Sequence, residues 1–207
     1  MEEMTIPHDL MPFQMEPFNG DKFIQMKMAG IAVKYPDAIA IETGTCLASS
    51  TLFLAEHFKM VHTIEANRRY YNYSLSRVQE AGVSNINLMY GQSEELLPKL
   101  LFNLPMPRDV VFFLDAHWEN FCPLKSELLA IAIAKIENPI IAIHDWKVPN
   151  SSLGYDSYNG QDFELEWIAP FLHKIYGEDF AYKYNSDEKA MGACRGIIYI
   201  SSSADPV

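Results

Sequence analysis

Basic residues are scarce in this chain. It holds 16 Lys and Arg against 27 Asp and Glu, which gives a formal net charge of −11 over 207 residues. Duplex nucleic acid binds through clustered Lys and Arg that replace its counterions, so this composition argues against a nucleic-acid partner. A neutral or cationic small molecule is the partner that the charge favours.

Cysteines and long apolar runs are also few. Cys46, Cys122 and Cys194 lie far apart and show no CxxC spacing, which argues against disulfides and against a zinc knuckle. No apolar run reaches the roughly 18–20 residues that span a bilayer. The first four residues are acidic and unlike a signal peptide. We therefore expect a cytoplasmic protein with no membrane partner.

What the chain does contain is a regular alternation of short apolar runs and helical patterns. Five runs have the composition of strands buried on both faces, at residues 38–41, 61–64, 86–89, 110–114 and 140–143. Apolar residues at helical spacing separate these runs, and two closing strands are expected at 180–184 and 196–200. Strands that alternate with helices predict right-handed crossovers and an α/β, doubly wound, mostly parallel sheet.

The segments outside this alternation give the domain organisation. No linker composition divides the chain, so we expect one domain over residues 1–207. Residues 1–20 hold several Pro and Met and predict an irregular N-terminal arm. The Tyr- and Gly-rich segment 147–160 predicts a substrate lid, with an ordinary surface loop as the alternative, and a helix is expected over 161–176.

The residues that follow the first three strands have the composition of a nucleoside-cofactor site. Open α/β sheets bind ligands beyond the carboxyl ends of their strands, at the point where the strand order reverses. Gly44 permits a tight turn into a helix N-terminus, Glu42 suits an ammonium group, and Glu65 suits a ribose diol. Each feature alone also fits an ordinary strand end or helix cap. The predicted cofactor-binding residues are Glu42, Gly44, Thr45, Ser50, Thr51, Glu65, Gly91, Gln92, Ser93 and Asp115.

These positions resemble a known family. Residues 41–51 resemble the first motif of class I S-adenosylmethionine-dependent methyltransferases, in the form common among small-molecule O-methyltransferases. Glu65 resembles the family's acidic residue after the second strand, and residues 91–97 are similar to its segment ahead of the third helix. The resemblance implies S-adenosylmethionine as cofactor and a Rossmann-like sheet of seven strands whose last strand is antiparallel. The family's second glycine is Ala48 here, and its methyl group is expected to crowd the cofactor, so a binding module without turnover is an alternative.

Two Asp and two His follow the fourth and fifth strands. Asp115 and His117 follow one strand, while His144 and Asp145 follow the next, so neighbouring strands would bring them to one edge. We expect Asp115, His144 and Asp145 to hold Mg²⁺ or another divalent cation. The cation would acidify a substrate hydroxyl and His117 would take its proton, which makes His117, Asp115 and His144 the candidate catalytic residues. Local hydrogen-bonded turns without a metal are the alternative.

The same four residues resemble the macrocin and sugar O-methyltransferase branch, whose members carry an acidic pair after the fifth strand and a magnesium ion. That pair is His144-Asp145 here, and His117 follows Asp115 by two residues instead of three. The resemblance implies an O-methyltransferase that acts on a small hydroxylated, sugar-type molecule. A metal-dependent hydrolase is the last alternative, and the sequence leaves open whether the protein is a homo-oligomer.

Overall fold

The computed structural model describes residues 15–105, 109–117, 120–186 and 190–207. Its helices are α1 (Lys22–Lys34), α2 (Ser49–His57), α3 (Arg68–Ala81), α4 (Ser93–Asn103), α5 (Leu124–Ala134) and α6 (Leu165–Tyr176). Its strands are β1 (Ile39–Thr43), β2 (Val61–Glu65), β3 (Ile86–Tyr90), β4 (Val110–Leu114), β5 (Ile140–His144), β6 (Ser157–Tyr158), β7 (Gln161–Asp162), β8 (Phe180–Tyr184) and β9 (Ile197–Ser202).

Seven of these strands form one twisted sheet in the order β3-β2-β1-β4-β5-β9-β8. Strands β1 to β5 pair in parallel, while β9 is antiparallel to both of its neighbours, β5 and β8. The predicted fold, a mostly parallel Rossmann-like sheet whose last strand is antiparallel, is confirmed. Strand order reverses between β1 and β4, which is the point where open α/β sheets bind their ligands.

Apolar layers cover both faces of the sheet, which explains why the strand runs are continuously apolar. On β1, Ile39 and Ile41 pack with α4, α5 and α6, whereas Ala40 and the preceding Ala38 face α1 and α2. Small residues on the second face allow those two helices to lie close to the strands. Within the described residues, no helix has both the length and the apolar composition needed to cross a membrane.

The predicted helix over 161–176 is wrong in its first turn. Residues 157–162 form a two-stranded hairpin of β6 and β7, and α6 begins only at Leu165. Asn159 and Gly160 join the two strands with φ values of 54° and 76°. Two successive positive φ values define the turn that Asn-Gly favours in hairpins, so this local signal overrides the apolar spacing that predicted a helix.

The N-terminal arm can be followed from residue 15, since residues 1–14 lie outside the described part of the chain. Pro17–Gly20 forms a 3₁₀ turn. Phe18 is buried, with its ring edge-on to Phe53 and Phe113. Its backbone N–H donates to Ser50 Oγ at 2.8 Å. The end of the arm therefore packs on the first turn of α2.

Candidate active site

A cavity of about 700 Å³ opens at the carboxyl ends of β1 to β5. Its volume lies in the range of pockets that enclose a drug-sized ligand. Six of the ten predicted cofactor-binding residues line it, namely Gly44, Glu65, Gly91, Gln92, Ser93 and Asp115. The strand ends on either side of the order reversal therefore converge on one space.

Glu65 presents a fixed carboxylate at the cavity wall. It ends β2, and its Oε2 accepts from the Cys46 N–H at 2.8 Å while its Oε1 accepts from the Asn67 N–H at 2.7 Å. Burial raises the pKa of Glu65, and the hydrogen bonds from backbone N–H groups oppose that rise. Each oxygen keeps a further lone pair, so the carboxylate can accept from a vicinal diol.

Gly44 brings the ends of β1 and β4 together. Its φ is +84°, and a Cβ atom at this position would lie 2.3 Å from the Asp115 carbonyl oxygen. The Asp115 N–H in turn donates to the Thr43 carbonyl at 3.0 Å. Only glycine combines this backbone conformation with so close an approach. The loop after β1 therefore lies directly beside Asp115.

Four predicted cofactor-binding residues are absent from the cavity lining, namely Glu42, Thr45, Ser50 and Thr51. Glu42 is only 1% exposed, and it accepts hydrogen bonds from the hydroxyls of Thr51 and Thr63 at 2.5 and 2.7 Å. Burial raises the pKa of Glu42 to about 8 despite these hydroxyls. The Glu42 side chain lies below the loop after β1, and its role as the partner of an ammonium group stays a prediction.

Thr45 and Ser50 are also occupied within the protein. The Thr45 and Thr63 hydroxyls share a hydrogen bond of 2.5 Å, and Ser50 accepts from the arm at Phe18. Ala48 has a φ of 59°, is fully buried and does not line the cavity. Its methyl group lies among protein atoms, and the expected crowding of the cofactor stays a prediction.

The two Asp and two His predicted at the reaction site meet at the carboxyl edge of β4 and β5. His117 Nε2 lies 3.0 Å from Asp145 Oδ2 and 3.5 Å from Asp115 Oδ1. His144 Nδ1 lies 3.2 Å from Asp115 Oδ1 and 3.3 Å from Asp145 Oδ1. His117, Asp115 and Asp145 line the cavity, whereas His144 lies behind them, 1% exposed.

Opposite charges stabilise this cluster. Burial opposes protonation of His144, but the neighbouring carboxylates of Asp145 and Asp115 outweigh it and hold the pKa of His144 well above its usual value. The same imidazole and that of His117 hold the pKa of Asp145 well below its usual value, against the effect of burial. Asp145 also has a φ of +56°, a strained backbone conformation of the kind found at functional sites.

Arg195 and Asp156 complete the cluster, and the sequence analysis did not assign either to the site. The Arg195 guanidinium donates from Nε to Asp145 and from Nη2 to Asp156. Arg195 lies two residues before β9, the antiparallel neighbour of β5, so the chain brings it to the carboxyl edge. Asp156 belongs to the segment predicted as a lid. An Arg just before the strand expected to run antiparallel was the signal available in the sequence.

Glu127 is a further carboxyl group that the sequence analysis missed. It lies in the first turn of α5, 1% exposed, against Ser93 and Thr43. Burial raises its pKa, and the two hydroxyls oppose that rise. Ser93 lines the cavity, so Glu127 lies behind the cavity wall.

The segment 147–160 lies over the carboxyl edge and is hydrogen-bonded to it. The Asp156 N–H donates to the Asp145 carbonyl at 2.9 Å, and the Gly154 N–H donates to the Cys194 carbonyl at 2.9 Å. Tyr158 is buried, with its ring stacked on Phe163 at 5.6 Å. The segment therefore forms a wall of the cavity, which Asp156 lines.

The fit of a divalent cation can be judged from the donor atoms. Ligand atoms of Asp115, His117 and Asp145 lie within 4.8 Å of one another, so His117 takes the place predicted for His144. Mg²⁺ prefers an octahedron of oxygen ligands, and an imidazole nitrogen ligates only without its hydrogen. At 3.0 Å from a carboxylate oxygen, His117 Nε2 acts as a hydrogen-bond donor instead. Arg195 holds the other oxygen of Asp145, so the residues as arranged do not fit a magnesium ion.

Solved structures of other proteins share the fold of this chain. No protein-family model matches the chain, and no curated protein matches it by sequence. Among solved structures, an O-methyltransferase from Bacillus cereus in complex with SAH is 18% identical, with a TM-score of 0.61 over 95% of this chain and 84% of its own. The O-methyltransferase TomG from Streptomyces achromogenes, in complex with SAM, is 16% identical, with a TM-score of 0.59 over 87% of this chain and 79% of its own.

A third similar structure shows how varied such proteins are. An rRNA methylase from Streptococcus thermophilus is 14% identical, with a TM-score of 0.54 over 87% of this chain and 93% of its own. At these identities the likeness establishes the fold, and one fold hosts many reactions. The activity must therefore be argued from the residues of the site.

Proposed function

We propose that this protein is an S-adenosylmethionine-dependent methyltransferase that acts on a hydroxyl group of a small molecule. The observation that carries the proposal is Glu65, whose carboxylate two backbone amides hold at the wall of a cavity beside the Gly44 turn. In the cofactor sites of such sheets, an acidic residue at the end of the second strand accepts hydrogen bonds from the ribose hydroxyls. SAM- and SAH-bound proteins of the same fold support this choice of nucleoside.

The cofactor-binding part of the cavity follows from Glu65. Gly91, Gln92 and Ser93 lie after β3 on the same wall, where the backbone and the Gln92 amide can meet an adenine edge. Gly44 leads towards Asp115, so a ligand whose ribose lies at Glu65 extends its other end to the reaction cluster. In this proposal a nucleoside binds at one end of the cavity and the acid–base groups lie at the other.

The chemistry requires a proton acceptor for the substrate hydroxyl. When bound, S-adenosylmethionine would supply a methyl group for transfer from its sulfonium sulfur to the hydroxyl oxygen, and the electron pair of the broken carbon–sulfur bond would stay on sulfur. Asp115, with a side chain 23% exposed, accepts the hydroxyl hydrogen. His117 was predicted to take this proton, but its Nε2 already donates to Asp145. His117 Nε2 lies 3.5 Å from Asp115 Oδ1 and positions that carboxyl group.

The charge of the cavity favours a neutral or cationic acceptor. Of the described residues that line it, Arg195 is the only Lys or Arg, and it donates to Asp145 and Asp156. A phosphate or carboxylate on the acceptor would face carboxylates without a free cation. A polyhydroxy, sugar-type molecule instead finds hydrogen-bond acceptors on Asp115 and Asp156. This supports the sugar-type acceptor as part of the proposal.

Calorimetric titration with S-adenosylhomocysteine tests the cofactor site. Wild-type protein is expected to bind it, and Glu65→Gln is expected to weaken binding by roughly 10- to 100-fold, the value of a hydrogen bond to a charged group. Glu80→Gln, an exposed position on α3, is the matched control and should bind like the wild type. Failure of the wild type to bind would refute the proposal and favour the metal-dependent hydrolase. Tight binding without transfer to any hydroxylated acceptor would favour a binding module.

A further inference from the structure

The reaction cluster contains a cation that belongs to the chain itself. The side chain of Arg195 is 26% exposed and bridges two carboxylates, Asp145 after β5 and Asp156 in the segment over the edge. These partners lie 50 and 39 positions away in sequence. Burial opposes the charge of Arg195, yet the adjacent carboxylates raise its pKa, so the guanidinium stays charged.

Charge balance shows what this cation replaces. Asp115, Asp145 and Asp156 place three carboxylates around His117 Nε2, at 3.5, 3.0 and 3.9 Å. Without Arg195, only the imidazoles of His117 and His144 would offset the repulsion among these three carboxylates at low solvent exposure. Arg195 already pairs with two of them. A divalent ion among the same oxygens would stand beside the guanidinium and would have to remove the hydrogen of His117 Nε2.

We propose that Arg195 is the resident cation of this site and takes the place of a divalent metal in balancing its carboxylates, so that the protein works without one. This proposal adds to the proposed methyl transfer, and the catalytic role of the site rests on that proposed function. The metal binding that it excludes can be measured independently of activity.

Arg195 also positions the segment 147–160, which forms a wall of the cavity. The Gly196 N–H donates to the Gly154 carbonyl at 2.9 Å, and Gly154 forms an isolated bridge with Arg195. A Cβ atom at Gly154 would lie 2.9 Å from Arg195 Nη1, so the absence of a side chain there leaves room for the guanidinium. Arg195 therefore joins the wall to the sheet through Asp156, in addition to balancing charge.

The test measures binding of Mn²⁺ to the full chain, by calorimetry and by the electron paramagnetic resonance signal of free Mn²⁺. After dialysis against a chelator, the wild type is expected to bind Mn²⁺ no more tightly than about 1 mM and to retain binding of S-adenosylhomocysteine. Arg195→Gln removes the guanidinium that pairs with Asp145 and Asp156 and should bind Mn²⁺ at least about 10-fold more tightly than the wild type. Arg195→Lys keeps a cation and should remain close to the wild type, as should the exposed control Arg69→Gln.

One stoichiometric Mn²⁺ bound by the wild type at micromolar concentration, and lost in Asp115→Asn, would overturn the proposal. Equal Mn²⁺ affinity of a folded Arg195→Gln and the wild type would also overturn it, since Arg195 would then not be what excludes the ion. If Arg195→Gln does not fold, the wild-type titration and Arg195→Lys still decide. Titration of the same samples with S-adenosylhomocysteine separates the two ideas, because failure there refutes the methyltransferase proposal and leaves the metal result standing.

Discussion

Replacing Glu42 by Gln should stabilise the protein, and more so as the pH rises. Glu42 is fully enclosed beneath the loop after β1, and burial raises its pKa from 4.5 to about 8. Its Oε2 accepts from the hydroxyls of Thr51 and Thr63, an arrangement that an amide oxygen can also adopt. The carboxyl group is therefore neutral in the folded protein at pH 7, whereas it is ionised in the unfolded chain.

The magnitude follows from linkage between protonation and folding. A raised folded pKa means that the free energy of unfolding is highest below pH 4.5 and falls as the pH rises towards 8. At about 1.4 kcal/mol per pKa unit, the loss reaches about 3 kcal/mol at pH 7 and about 5 kcal/mol above pH 8, as orders of magnitude. Glutamine does not titrate, so Glu42→Gln should regain that loss at pH 7 and show no such gain at pH 4.

Urea unfolding of wild type and Glu42→Gln at several values between pH 4 and pH 8.5 measures this difference. Glu80→Gln, which changes an exposed carboxylate on α3, provides the control and should show little pH-dependent difference from the wild type. Binding of S-adenosylhomocysteine should change little in Glu42→Gln, because the side chain does not line the cavity. A stability difference that is flat with pH, or that favours the wild type more as the pH rises, would refute the reasoning.

Two further substitutions test the packing that positions the site. Gly44→Ala should destabilise the protein by more than about 2 kcal/mol and abolish binding of S-adenosylhomocysteine, because the new Cβ would lie 2.3 Å from the Asp115 carbonyl oxygen. Gly82→Ala has similar positive φ but open space around its Cβ, so urea unfolding should give a loss of only about 1 kcal/mol, and equal losses would contradict the clash. Phe18→Ala should cost about 3–5 kcal/mol in the same assay because this arm residue is 2% exposed, whereas Phe102→Ala, 89% exposed, should cost little. A small loss at Phe18 would show that the end of the arm is not part of the core.

The sequence by itself determined the sheet and the edge at which its site lies. Strands buried on both faces need continuously apolar runs, and helices that cover them need apolar spacing, so the alternation was readable without tertiary information. The carboxyl ends of parallel strands meet at one edge, which is why Glu65, Asp115 and Asp145 could be assigned to the same region from their positions alone. The Asn159-Gly160 turn is also a local signal, and the hairpin that it joins extends to Asp162, inside the segment predicted as a helix.

Tertiary structure decided which of two similar acidic residues faces the cavity. Glu42 and Glu65 both stand at or near a strand end beside the order reversal, and their sequence contexts suit a cofactor equally. Glu65 ends β2 and is turned to the cavity by two backbone amides, whereas Glu42 lies within β1 and points to the layer of α2. The difference depends on which face each side chain occupies, and that is fixed by the helices that pack there.

Tertiary structure alone also decided the charge of the reaction cluster. Arg195 reaches Asp145 and Asp156 only because β9 pairs antiparallel to β5 and because the intervening segment folds back over the edge. No local pattern predicts a contact across 50 positions. A sequence that shows two Asp and two His therefore suggests a metal site, while the folded chain supplies its own cation, since only long-range packing determines which charges meet.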